Sequence, residues 1–330
     1  MKLPEPLQQA IAAAADSIPA PALAHAAAGL GRAYAGASPP SFASPESRIA
    51  YLVARLPAIF AVNCWILSEL ARLRPEIEVR SVLDLGCGPG TATLAADEIF
   101  GPLQTATMAD NDPGWTRMRA RVMAGAAPQL AAVSRSAIAD LRRPGRFEQH
   151  DLVILSYALG EMDSASATGL VERAWACARH AMVIVEPGTP RGFRTIVAAR
   201  AALIDARADI VAPCPHTGQC PLTRGKDWCH FDAQVERTRR HQRTKAGSLS
   251  YEIEKFSYVI AAPAEAAKDP GPARIIKHPL KKSGHVILDL CTAGGAIERV
   301  IISKRDQDSY RLARAARWGE IWSPPEGEMK

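Results

Sequence analysis

Ser81-Val-Leu-Asp-Leu-Gly-Cys-Gly-Pro-Gly90 carries an apolar strand into three glycines spaced two apart, and then into a helix. Val82, Leu83 and Leu85 read as a central parallel strand, Gly86, Gly88 and Gly90 as a turn with no Cβ to block a ligand, and 91–100 as the following helix. Such a turn aims backbone N–H groups at a bound cofactor. Glycine-rich turns serve many ligands, so the surrounding chain has to decide which.

Outward from this turn, strands and helices alternate between about 79 and 189. Strands are expected at 81–85, 105–109, 152–157 and 182–186, with a short one near Ala132; helices are expected at about 91–100, 114–124, 164–179 and 191–206. The pattern is α/β: a doubly wound parallel sheet with ligands at the carboxyl ends of its strands. Upstream, 1–43 is rich in alanine and proline and reads as short helices. Ser44-Pro45-Glu46 is a helix start, opening an amphipathic helix over about 46–73 with a kink expected at Pro57. Downstream, 213–222 is too rich in Pro and Cys for regular structure. Strands follow at 256–261, 273–276, 285–290 and 299–303, then a helix at 308–317, a small extension expected to fold back on the main sheet. The implied divisions are an N-terminal helical region at 1–78, a core at 79–208, a cysteine-rich insertion at 209–250, and remaining sheet strands with a β-rich extension at 251–330.

A chain of 330 residues with 48% hydrophobic and 22% charged residues is large enough for an enzyme with an added domain. No run of about 18 apolar residues is free of both charge and proline, so no membrane span is expected. The N-terminus lacks the pattern of an export or transit signal, which leads to the expectation of a cytoplasmic protein. A formal charge of +6 permits a polyanionic partner. Seven cysteines without an export signal argue against a disulfide framework.

Asp84 to Gly90 resembles the first motif of class I S-adenosylmethionine-dependent methyltransferases more than a nicotinamide fingerprint, in which two residues separate the last two glycines. The resemblance implies S-adenosylmethionine held by Asp84, Gly86, Gly88, Gly90 and Asp110, the last accepting from the ribose hydroxyls. A helix cap before Pro113 is the other reading of Asp110. Asp140 is a candidate for the adenine amino group, or an exposed acidic turn. Asp151-Leu-Val-Ile-Leu-Ser-Tyr-Ala-Leu-Gly-Glu-Met162 is similar to the fourth motif of these enzymes, which makes Ser156, Tyr157 and Glu161 candidates for the reaction site, or packing and capping residues. The Asn/Asp-Pro-Pro-aromatic motif of exocyclic amino methylation is absent, so catalysis would rest on holding acceptor and sulfonium in line.

Cys214, Cys220 and Cys229 lie within 16 residues, with Cys291 far downstream. Three thiols so close in an irregular loop point to a metal site; four thiolates suit an iron–sulfur cluster, or zinc as the alternative. His216 and His230 are further donors in the same segment. Cys64 and Cys177 fall on helices as small apolar residues, and Cys87 belongs to the turn. Basic residues cluster at Arg237, Arg239, Arg240, His241, Arg243 and Lys245, and again at Lys277, Lys281 and Lys282. With Trp228, Phe231 and Trp318 to stack on bases, they suggest an RNA-binding surface.

Together, Val82 to Thr93, Ser156-Tyr-x-Leu-x-Glu161, Val185-Glu-Pro-Gly-Thr-Pro190, Pro213-Cys-Pro-His216, Asp227-Trp-Cys-His-Phe231, Gly284-His-Val-x-Leu-Asp-Leu-Cys291 and Trp318-Gly-Glu-Ile-Trp322 resemble the bacterial relatives of the mitochondrial small-subunit ribosomal methyltransferase-like family. The resemblance implies a Rossmann-like methyltransferase sheet with a cysteine-rich metal-binding insertion and a small β-rich extension, acting in small-subunit assembly or translation. It also implies a 4Fe-4S cluster on Cys214, Cys220, Cys229 and Cys291, and small-subunit rRNA or the ribosome as partner; no membrane partner is expected, and the sequence leaves the oligomeric state open, a monomer being the expectation. Methyl transfer and a purely binding role in assembly both remain open, because a fold does not imply turnover.

Overall fold

The computed structural model describes residues 1–35, 42–143, 146–236, 250–264 and 273–323. The chain divides into two compact units, one of residues 1–184 and 232–254, the other of residues 185–231 and 255–330.

The first unit begins with four helices, α1 (Glu5–Ala15), α2 (Ala20–Ala35), α3 (Pro45–Ala54) and α4 (Leu56–Leu73). Ser44 caps α3, its hydroxyl accepting from the Ser47 N–H at 3.1 Å. The expected single helix over 46–73 is two helices, and the break is at Arg55 rather than a kink at Pro57: Pro57 sits in the first turn of α4, where its missing N–H costs nothing. The Arg55 guanidinium makes a paired ion bridge with Glu254 at 2.8 and 2.9 Å, fixing this junction. Helix α4 is long and apolar enough to cross a membrane by length and composition, yet 67% of it is buried, as in a core helix.

Next come β1 (Ser81–Leu85), α5 (Thr91–Phe100), β2 (Thr105–Asp110), α6 (Pro113–Ala126), α7 (Pro128–Val133), β3 (Ser134–Ile138), β4 (His150–Ser156), α8 (Ser164–Trp175) and β5 (Ala178–Pro187). The strand expected near Ala132 starts two residues later. Ala132 lies in the last turn of α7, because Pro128 starts a helical turn there before Ser134 enters the sheet. Strand order β3-β2-β1-β4-β5 is that of a Rossmann-like, doubly wound sheet. β1 pairs in parallel with β2 on one side and β4 on the other, with Leu85 beside Ala109 and Asp84 beside Ile154. Asp110 pairs with Ile138 of β3, so the carboxyl ends of β1, β2 and β3 share one edge. β4 is buried from His150 to Leu155, its apolar run Leu152 to Leu155 included, as a central parallel strand requires.

The second unit holds α9 (Pro190–Asp205) and β6 (Ala208–Ala212), which pairs antiparallel with β8 (Tyr251–Pro263). Strand β7 (Phe231–Glu236) also pairs with β8. The remaining strands β9 (Ala273–Ile275), β10 (Leu280–Lys281), β11 (His285–Cys291), β12 (Ile297–Ser303) and β13 (Ile321–Trp322) do not extend the main sheet but make a five-stranded antiparallel sheet of their own. Alternation along β11 puts Val286, Leu288 and Leu290 inward, where they meet Ile302, Trp322 and Ala313 of α10 (Gln307–Ala315).

Candidate functional sites: a glycine cradle and a four-cysteine cavity

In the first unit, all nine residues singled out for cofactor binding and reaction lie at or beside the strand ends. Gly86, Gly88 and Gly90 have φ of 75°, 49° and 82°, left-handed values that disfavour any side chain. Their surroundings differ. A Cβ on Gly86 would meet the Ala158 Cβ at 2.7 Å and one on Gly90 the Arg119 side chain at 3.1 Å, whereas around Gly88 nothing lies within 4 Å. Gly88 is therefore the open point of the cradle, and the N-terminus of α5 directly follows it.

Asp84, at the end of β1, is fully buried; its Oδ2 accepts from the Thr93 hydroxyl at 2.8 Å and N–H at 3.2 Å, while Oδ1 has no partner. Burial pushes its pKa up to about 6, with the Thr93 bonds and the Arg119 charge opposing. Asp110 ends β2. Its Oδ2 accepts from the Gly88 N–H at 2.8 Å and its Oδ1 from the Asp112 N–H at 2.9 Å. The cap of α6 is not Asp110 but Asp112, which accepts from Gly114 at 2.8 Å. Each Asp110 oxygen keeps a second lone pair for a ligand. Asp140 is exposed two residues past β3, and accepts from the Arg142 N–H at 3.0 Å.

Ser156 ends β4, and its hydroxyl accepts from the Asn63 side-chain amide at 3.0 Å. Tyr157 follows with a φ of 59°, an uncommon conformation for a side chain of this size. Glu161 closes a one-turn 3-10 helix, Leu159–Glu161. Glu161 is an exposed residue, yet surrounding protein, then the charge of Asp110, raise its pKa against the pull of Arg142.

Two residues of this unit escaped the sequence reading. Arg119 is 1% exposed and braces the turn from below, donating to the Gly88 carbonyl at 2.6 Å, the Cys87 Sγ at 3.1 Å and the Ser136 hydroxyl at 2.9 Å. Asn63 is wholly buried and holds Ser156. The signal was available: Trp115, Arg119, Val122 and Met123 recur at helical spacing on the buried face of α6, and Asn63 interrupts the apolar stripe of α4.

In the second unit, Cys214, Cys220, Cys229 and Cys291 line one cavity whose remaining wall is largely apolar, with Phe193, Ile196 and Val197 from α9. Burial pushes the Cys214 and Cys291 thiols up, the latter to about 12, and Cys229 well above its usual range; neighbouring thiols of the set push in the same direction. Among the described residues, no group of three or more His, Cys, Asp or Glu side chains is already gathered at metal-binding separation. The shared cavity and the thiols' mutual electrostatic influence fit a soft-donor site that a metal centre would draw together. His216 approaches the Cys291 Sγ with its Nε2 at 3.5 Å. His230 does not join the thiols; it stacks on Trp228 at 5.2 Å and meets Trp318 at 4.9 Å.

Arg200 and Arg274 are buried beside this cavity, at 6% and 4% exposure. Arg274 ties the segment together by donating to the Pro213 carbonyl at 3.0 Å and the Gly319 carbonyl at 2.8 Å. Of the aromatic residues expected to stack on bases, Phe231 is 1% exposed and packs against Tyr258, so burial removes it from that role. The Trp228 indole donates to the Gly188 carbonyl at 3.0 Å. Lys277 is paired with Asp227 at 2.5 Å, while Lys281 and Lys282 are exposed; the cluster from Arg237 to Lys245 lies outside the described residues.

The family described as "Mitochondrial small ribosomal subunit Rsm22" matches residues 45–323. The human "Ribosome assembly protein METTL17, mitochondrial" is 28% identical over 293 residues, covering 83% of this chain and 62% of that protein. "Rsm22-cox11 tandem protein 2, mitochondrial" of Schizosaccharomyces pombe is 27% identical over 335 residues, covering 86% of this chain and 44% of that protein. The chain thus spans between 44% and 62% of the lengths of these two relatives. Among solved structures, magnesium protoporphyrin IX methyltransferase from Synechocystis PCC 6803 with bound SAM superposes with a TM-score of 0.41 at 14% identity, over 71% of this chain and 89% of that one.

Proposed function

Because the chain belongs to the family of the mitochondrial small ribosomal subunit protein Rsm22, we propose that it acts in assembly of the small ribosomal subunit as an S-adenosylmethionine-dependent methyltransferase-like protein that carries a four-cysteine iron–sulfur cluster and binds small-subunit rRNA. One observation carries this reading: a glycine cradle left open at Gly88 beside Asp110 occurs on the same chain as four cysteines lining one cavity.

In this reading Gly86, Gly88 and Gly90 let the cofactor approach the backbone, and Asp110 accepts from its ribose hydroxyls with its remaining lone pairs. Asp84 holds the start of α5 through Thr93, and Asp140 receives the adenine amino group. S-adenosylmethionine supplies an electrophilic methyl group on a sulfonium. Ser156, Tyr157 and Glu161 line the acceptor side, where Glu161, with its raised pKa, is placed to take a proton from an attacking RNA group. Cys214, Cys220, Cys229 and Cys291 hold the cluster, or zinc, and join the irregular segment after β6 to the end of β11, so metal binding adds folding energy.

A second reading, a non-catalytic assembly factor that keeps the fold, is favoured by the human relative being described as a ribosome assembly protein. Mass mapping of rRNA methylation in a deletion strain separates the two. A methyl group that is lost, and restored by wild type but not by Asp110→Ala, supports the enzyme; unchanged methylation with defective small subunits supports the assembly factor.

A further inference from the structure

Arg200 presents a problem the family reading does not solve. It sits in α9 at 6% exposure, its Nη2 donates to the His216 carbonyl at 2.6 Å, and it lines the same cavity as Cys214. Its Nε is buried without a partner. No carboxylate pairs with it among the described residues; ion pairs of this unit join Lys277 to Asp227 and Arg299 to Asp289. A guanidinium cannot shed its proton at any ordinary pH, so burying it without a carboxylate leaves an uncompensated cation, which is costly. The cavity it borders is lined by the four cysteines. Four thiolates outweigh the charge of a zinc ion or an oxidised iron–sulfur core, so either centre is a net anion.

We propose that Arg200 is the charge-compensating residue of the four-cysteine centre: it offsets the negative charge of the bound centre and, for an iron–sulfur cluster, favours the reduced state, which is more negative still. This rests on the four-cysteine reading above. Arg200 is a positioning residue that makes no bond to the metal. Its signal in the sequence is the stripe Phe193, Ile196, Arg200, Leu203, in which a cation takes an inward position of α9.

The test is a redox titration of anaerobically purified full chain, followed by electron paramagnetic resonance, for wild type, Arg200→Gln and Arg200→Lys. Gln keeps an N–H donor towards His216 and loses the charge; Lys keeps the charge and loses the fork. Arg200→Gln is expected to shift the reduction equilibrium at least tenfold towards the oxidised form, which is about 59 mV for a one-electron couple, while Arg200→Lys stays near wild type. Arg200→Met, apolar and of similar length, replaces Gln should that variant not fold. An unshifted potential in the uncharged variant overturns the proposal. So does an equal shift in Arg200→Lys, since that marks a merely structural role. If wild type holds zinc and no sulfide, the iron–sulfur reading falls separately, and retention of zinc against a chelator becomes the measurement: faster loss from Arg200→Gln than from Arg200→Lys supports charge compensation, and equal loss overturns it. A wild type that binds neither metal overturns both readings.

Discussion

Asp84 shows what a single buried carboxyl does to this protein. Its pKa of about 6 in the folded chain lies above the ordinary 3.8. The folded state therefore holds the proton more tightly than the unfolded one, and the stability tied to that proton is complete below about pH 4 and lost as pH rises through 6. The loss is on the order of 3 kcal/mol. Urea unfolding of the ligand-free protein between pH 4 and 7 should show this decline in wild type and a flatter profile in Asp84→Asn. Equal slopes would remove Asp84 from the account. The three turn glycines separate in the same way. Gly86→Ala forces a Cβ to 2.7 Å from Ala158 and should cost several kcal/mol of stability, on the order of an overpacked core site. At Gly88 the added methyl enters open space, so Gly88→Ala should cost roughly 1–2 kcal/mol from its left-handed φ, yet weaken S-adenosylmethionine binding more than tenfold in calorimetry. Similar stability losses in the two variants would contradict the cradle geometry.

Among the elements, the start of α6 depends most on one side chain. Asp112 caps the helix through Gly114 and also receives the Arg48 guanidinium from α3 in a forked bridge, with both side chains largely buried. Asp112→Ala removes cap and bridge together and leaves Arg48 poorly compensated, which should cost roughly 2–4 kcal/mol in thermal or denaturant unfolding. Asp112→Asn keeps the cap and should recover part of that loss; no difference between the two would mean the cap is idle. This pairing was invisible in the sequence, since nothing in 44–48 points to 112. Ser44-Pro45 and the strand, turn and helix of 81–100 were legible because capping and glycine turns are local events. Where the local signals compete, the sequence reading slipped: Pro57 suggested a kink, but a proline in a first turn is compatible with a fresh helix, and the chain breaks at Arg55.

At the scale of the whole molecule, the cysteine centre and the basic surface are the features with the widest consequences. Protein purified without oxygen is expected to be brown, with a broad visible absorbance that Cys291→Ala abolishes together with bound iron. In that variant, protease should cut within 213–230 faster than in wild type, because a segment without its own core loses the link to β11. A colourless wild type with stoichiometric zinc would sink the iron–sulfur assignment while leaving the ligand set in place. On the proposed reading, affinity for small-subunit rRNA is expected to fall steeply with salt, since basic residues such as those at 237–245 and the exposed Lys281 and Lys282 would bind by displacing counterions. A salt-independent affinity would argue for a docking surface of another kind. The amino-acid sequence by itself determined the parallel α/β core, the glycine turn and the family, because alternation, turn chemistry and cysteine spacing are written along the chain. Tertiary structure alone decided that Arg119 braces the turn, that Asn63 holds Ser156, that Phe231 is core rather than a stacking surface, and that Arg200 lies buried beside the four-cysteine cavity. Each of those outcomes depends on which distant residue fills the other half of a contact, and burial turns such a meeting from an incidental contact into a constraint.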